Sequence, residues 1–188
     1  GGEVIAYYAY VLDNDTLGGP KIAKSEIHFL TVYDEEEYDS PQDPKKNPPT
    51  PASVKTLDKL IEVQKKLLQE TFAQARLREA AEGAPGEREK ADAAKTAKAQ
   101  RELKAELQSL VDDVKAEMER LAQEEQDKAK EDDPHPPALG DKEMKFMELS
   151  GLKMEDAAGK LDQTKTVQAV HPEVEALRNL SETRRLLL

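Results

Sequence analysis

The 188-residue sequence has no cysteine and no tryptophan. Without thiols neither a disulfide framework nor a thiolate metal site can form. The redox compartment stays open, because an oxidising envelope protein can do without disulfides and a cytosolic one has no need of them. Aromatic residues make up only 4% of the chain. A core must therefore rest on Leu, Val, Ile, Met and Ala, which suits helix seams better than a thick globule. Positive charge is also in deficit: 28 Lys and Arg stand against 39 Asp and Glu, for a formal net charge of -11. That balance repels phosphate backbones and anionic lipid alike, and no local basic run offsets it, so nucleic-acid binding is not expected. No apolar run reaches the length of a membrane span. Membrane contact is expected only through parts of a parent chain not present in this sequence. The opening Gly1-Gly2 has neither Met nor a signal-peptide pattern and reads as a trimmed end or as a cut inside a longer parent.

What is present divides the chain into five segments. Residues 1–33 hold two runs of β-branched, aromatic and small residues, Val4 to Leu12 and Ile27 to Tyr33, separated by the turn formers Asp13 to Pro20. They predict an antiparallel hairpin with a long loop, in which Tyr8, Tyr10, Ile27 and Phe29 take part in strand pairing. Val4, Ala6, Tyr8, Tyr10 and Leu12 fall on one face, and Ile5, Tyr7, Ala9 and Val11 on the other. Both faces are apolar, so the hairpin expects cover on both, as in a β-sandwich. Residues 34–52 are an acidic and proline-rich hinge, running from Asp34-Glu35-Glu36-Glu37 through Pro41, Pro44, Pro48, Pro49 and Pro51. The acidic run reads as solvated, with docking on a basic partner as the alternative.

From residue 53 the apolar period changes to three and four. Val54, Leu57, Leu60, Ile61, Leu67, Leu68, Phe72 and Ala75 mark one face of a helix capped by Ser53 and ended near Glu82 by Gly83, Pro85 and Gly86. A second helix is predicted from about Glu87 to Lys130, with Leu103, Leu107, Leu110, Val114, Met118 and Leu121 at heptad a and d spacing. Residues 53–131 thus read as an antiparallel helical hairpin of coiled-coil character. Its interaction seam is Leu57, Leu60, Ile61, Leu67 and Leu68 against Leu103, Leu107, Leu110, Val114, Met118 and Leu121. These stripes normally bury one another, although Leu and Met stripes can also receive a partner helix. Residues 132–141 form a proline-rich linker, and residues 142–188 carry two further amphipathic stretches. One has Met144, Met147, Leu152, Met154, Ala158 and Leu161. The other has Val174, Leu177, Leu180, Arg184 and Leu187 and is expected to open at His171-Pro172.

Chemistry-bearing patterns are few. Asp13-x-Asp15-x-x-Gly18 begins like a calcium loop, but Leu17 holds the fifth position and Lys24 the twelfth, where the loop needs an oxygen ligand and a bidentate Glu. A polar turn is the better reading. His28, His135 and His171 each stand alone, without metal-ligand spacing or an H-E-x-x-H. Gly18-Gly19 followed by Lys21 lacks the spacing of a phosphate loop. No catalytic residue, metal or cofactor is therefore expected.

Tyr8-Ala9-Tyr10-Val11-Leu12-Asp13-Asn14-Asp15 together with Gly19-Pro20-Lys21-Ile22-Ala23-Lys24-Ser25 resembles the last hairpin of an Ig-like domain in bacterial envelope proteins of the DUF4175-like group. Leu57 to Thr71 resembles the Gln- and Thr-containing helix that follows it there, and Glu173 to Leu180 resembles a later E-x-x-A-L-x-x-L helix. The resemblance implies a membrane-anchored parent with a long extracytoplasmic part and supplies no catalytic residues to transfer. The expected architecture is mainly α, a helical hairpin or bundle with an N-terminal β-hairpin from an Ig-like β-sandwich. The expected role is a non-catalytic structural or protein-interaction segment of a cell-envelope protein. Its expected partners are the missing strands of the parent or a second copy. The alternative is a cytosolic helical adaptor or cochaperone-like module.

Overall fold

The computed structural model describes residues 3–14, 21–32, 52–81, 83–127 and 141–187. The acidic and proline-rich hinge, the loop from Asp15 to Pro20, Tyr33 and the linker with His135 lie outside the described residues. Strands β1 (Glu3–Tyr7), β2 (Tyr10–Leu12), β3 (Ile22–Lys24) and β4 (His28–Val32) precede helices α1 (Ala52–Ala80), α2 (Glu87–Asp127), α3 (Asp141–Asp162) and α4 (Thr166–Leu186). The fold is mainly helical with a small antiparallel β-ribbon, as the apolar periods predict. Ser53, expected as a cap, lies inside the first turn of α1.

Side-chain bridges fix the helix directions. Gln64 meets Gln100 while Gln74 meets Thr96, so α1 and α2 run antiparallel. Lys115 meets Glu148 and Arg101 meets Asp162 between α2 and α3. Ser150 donates to the Ala176 carbonyl between α3 and α4, and Arg184 reaches back to Asp58 on α1 while Thr71 meets Glu173. Each helix is antiparallel to the next, and α4 closes on α1. The result is an up-down-up-down four-helix bundle, in which the short α1–α2 and α3–α4 connections dictate antiparallel neighbours. Its core joins Leu57, Leu60, Leu68, Leu103, Leu107, Met147, Met154, Leu177 and Leu180. The predicted helical hairpin is thus one half of a bundle that the C-terminal helices complete. α2, with 41 residues, runs about 60 Å, whereas the 22 residues of α3 span about 33 Å, at 1.5 Å per residue.

The turn between α3 and α4 corrects one expectation. α4 starts at Thr166, six residues before the predicted opening, and Pro172 lies inside it. The turn is a tight one: the Lys165 amide donates to the Lys160 carbonyl at 2.9 Å and the Thr164 amide to the Leu161 carbonyl at 2.8 Å, with Thr164 in left-handed backbone at φ 58°. This pair of bonds is the Schellman arrangement, in which the left-handed residue satisfies the last carbonyls of the helix. Ala169 then packs with Ala93, Ala97, Ala158 and Leu161, which holds the first turns of α4 helical. That packing outweighs the amide hydrogen bond that Pro172 cannot donate to the preceding turn.

The ribbon is interrupted. β1 pairs with β4 (Ala6 opposite Phe29, Tyr7 opposite His28) and β2 pairs with β3 (Tyr10 opposite Lys24). Two residues, Tyr8 and Ala9, therefore face three, Ser25, Glu26 and Ile27. The extra residue makes a bulge, closed by a 2.8 Å bond from the Ser25 amide to the Ala9 carbonyl and a 2.9 Å bond from the Ala9 amide to Ser25 Oγ. The bulge turns Ile27 into the core, where it is buried with α1 and α4 residues, and Val4, Ala6 and Phe29 pack beside it. The inner face of the β1–β4 pair is thus covered by this chain's own helices, whereas β2 is exposed throughout. The cover expected from a β-sandwich is supplied on the inner face by the bundle instead. The hydrophobic gain of burying Ile27, Val4, Ala6 and Phe29 decides where the ribbon lies.

Candidate functional site

The predicted seam residues Leu57, Leu60, Ile61, Leu67, Leu68, Leu103, Leu107, Leu110 and Val114 are all buried, and Met118 packs half-buried against them. The side chain of Leu121 lies outside the described residues. Leu152, placed on the α3 stripe by its hydropathy, points to solvent, because Ser150 and Met154 occupy the inward positions on either side. The described seam residues face the other helices of their own bundle.

A polar set inside this core was not singled out in the sequence. Gln64, Thr71, Thr96, Gln100, Ser150 and Glu173 are buried. Gln100 Nε2 donates to Gln64 Oε1 at 2.8 Å, leaving Gln64 Nε2 and Gln100 Oε1 without partners. Thr71 Oγ1 donates to Glu173 Oε1 at 2.8 Å, and Glu173 Oε2 has no partner. Burial pushes the Glu173 carboxyl up to about 8; the Thr71 hydroxyl opposes this and the nearby Glu70 carboxylate adds to it. The carboxyl is sealed from solvent, so no substrate reaches it. Its surroundings make it a structural group of the α1–α4 contact. The heptad carried the signal: Gln64 and Thr71 follow Leu57 at seven-residue steps, and Gln100 precedes Leu107 by seven.

The surface that stands out is the outer face of the ribbon. Ile5 opposite Leu30, Tyr7 opposite His28, and Val32 beside Glu3 present a row of apolar side chains to solvent. Past the bulge the β2–β3 pair is exposed on both faces, with Tyr10, Leu12 and Ile22 on one and Val11, at 67% exposed, on the other. Each strand pairs on one side only among the described residues, so backbone donors and acceptors line two open edges. Of the predicted pairing residues, Tyr10 and Phe29 lie in the ladders. Tyr8 and Ile27 fall in the bulge instead: the Tyr8 ring packs tilted against Phe72 of α1 with centroids 4.9 Å apart, and Ile27 is core. Lys24 ties the ribbon to α1 through Glu79 at 2.6 Å and lies 5.9 Å from the Tyr8 ring.

Other candidates are occupied by structure. Asp13 Oδ1 accepts from the Lys21 amide at 2.8 Å across the loop, as a turn carboxylate does. His28 lies beside Tyr7 at 5.8 Å, and His171 is exposed 3.7 Å from Glu175. Among the described residues no three His, Asp or Glu side chains converge as a metal site, and no helix is long and apolar enough to cross a membrane. No family model, curated protein or solved structure matches this chain.

Proposed function

We propose that this chain is a non-catalytic protein-contact segment of a larger bacterial envelope protein. The four-helix bundle is its support, and the outer face of the β-ribbon is its contact surface. The observation that carries the reading is the exposed row Ile5, Tyr7, Leu30 and Val32 beside open strand edges, with the adjoining β2 strand exposed on both faces at Tyr10, Val11 and Leu12. An apolar, two-stranded edge of this kind templates strand addition, which satisfies its backbone groups and covers its side chains at once. The resemblance to the last hairpin of an Ig-like domain names the occupant: preceding strands of the parent, laid on the ribbon's outer face and edge. Amide hydrogen exchange tests this in the full parent against the present chain. The reading predicts that exchange at Val4 to Tyr7 and His28 to Val32 slows at least about tenfold in the parent, the factor that corresponds to 1.4 kcal/mol. Equal rates in the two would overturn it.

A further inference from the structure

Where the α3–α4 turn meets the end of the α1–α2 pair lies a cleft of about 40 Å³, walled by Gln74, Arg78, Asp92, Thr164 and Thr166 among others. Three buried polar atoms from these walls have no hydrogen-bond partner: Gln74 Oε1, Arg78 Nη1 and Thr166 Oγ1. Thr166 itself is only 4% exposed. The Gln74 amide cannot turn to correct this. Thr96 Oγ1 donates to the Asp92 carbonyl at 3.1 Å and so accepts from Gln74 Nε2 at 2.9 Å, which leaves the Gln74 oxygen as the free end. Arg78 spends Nη2 on the Gly83 carbonyl, and its Nη1 lies 3.5 Å from Glu89 Oε1, an ion pair too long for a hydrogen bond. The first residue of α4 stands in the same cleft, and the N-cap residue Lys165 supplies no side-chain bond to it.

An occupant must therefore donate to Gln74 Oε1 and also accept from Arg78 Nη1, with the Thr166 hydroxyl free to do either. An anion such as chloride or a carboxylate cannot donate, and Asp92 and Glu89 repel it. A metal cation or ammonium cannot accept, and Arg78 repels it. Water does both. About 40 Å³ accommodates more than one water, since a single water needs about 10–15 Å³ of such volume and two to four polar partners. We propose that this cleft is an internal hydration site, in which ordered water bridges Gln74 and Arg78 of α1 to Thr166 at the start of α4.

The test combines a crystal structure of the chain with water-to-protein NMR cross-peaks. Solvent density should lie within hydrogen-bond distance of Gln74 Oε1, Arg78 Nη1 and Thr166 Oγ1, and the Thr166 amide should show the cross-peak of a long-lived water. Thr166→Val should abolish that cross-peak, whereas the exposed-site variant Val167→Ala should keep it. If Thr166→Val does not fold, Gln74→Met serves the same purpose from the other wall. Direct closure of Arg78 onto Gln74, a cleft without solvent density, or a cross-peak that survives removal of either partner would each overturn the proposal.

Discussion

Burial holds the Glu173 carboxyl neutral to about pH 8, whereas its ordinary value is 4.5. The sign of the pH effect follows from this difference. The unfolded chain releases the proton near 4.5 and the folded chain only near 8, so the unfolded state binds fewer protons between these values. The contribution to stability is fully present below about 4.5 and is lost as pH rises to about 8. By pH 7 the loss is about 3 kcal/mol at 1.36 kcal/mol per unit. Glu173→Gln removes the titration but keeps the shape, so wild-type and variant melting curves should converge in acid. Above neutral pH the variant should be the more stable by several kcal/mol. Parallel pH profiles of the two melting temperatures would contradict the assignment. Thr164 departs from ordinary backbone conformation. A β-branched side chain at φ 58° is strained where Gly is not. Thr164→Gly should raise stability by up to about 1 kcal/mol in urea titrations, an increment that Thr164→Ala will not reproduce.

At the scale of elements, the core seam is the testable unit. Leu107 and Val114 face inward on α2, whereas Leu152 on α3 faces water. Leu107→Asp or Val114→Asp should cost roughly 3–5 kcal/mol, because an unpaired charge enters the bundle. Leu152→Asp should cost well under 1 kcal/mol. Circular dichroism melts separate the two outcomes. The helix seams were legible because Leu and Val at three- and four-residue steps admit no other pairing of pattern and period. The ends of α1 and the start of α2 were legible from Gly83, Pro85 and Gly86. The start of α4 was not. Thr164 is a poor signal for a left-handed helix stop, and Pro172 imitates the first turn that lies six residues earlier. The buried polar set escaped because Gln64, Thr71, Gln100 and Glu173 read as surface by hydropathy, although seven-residue spacing from Leu57, Leu107 and Leu180 puts them inside. The bulge was hidden as well, since nothing in Tyr8-Ala9 or Ser25-Glu26-Ile27 announces a mismatch of two residues against three before the register is known.

At the scale of the whole molecule, helices and ribbon share one core, with the bulge residue Ile27 sunk deepest into it of the ribbon residues. Bridges from Arg101, Lys104 and Lys115 to α3, and from Lys153 to Glu175 on α4, run along the outside of the bundle. Each is solvent-exposed and adds little to stability, but together they match the helix register. The surface with a different character is the ribbon's outer face, apolar in a chain of net charge -11. Repulsion at that charge works against association, so contact through this face has to be driven by apolar burial and by edge pairing. Sedimentation velocity over a concentration series, comparing the chain with the double variant Ile5→Lys, Leu30→Lys, measures this most directly. By itself the chain should associate reversibly as concentration rises, and the variant should stay monomeric with an unchanged helix melt. A chain that remains monomeric throughout, or a variant that associates just as strongly, would contradict the assignment of the ribbon's outer face as the contact surface.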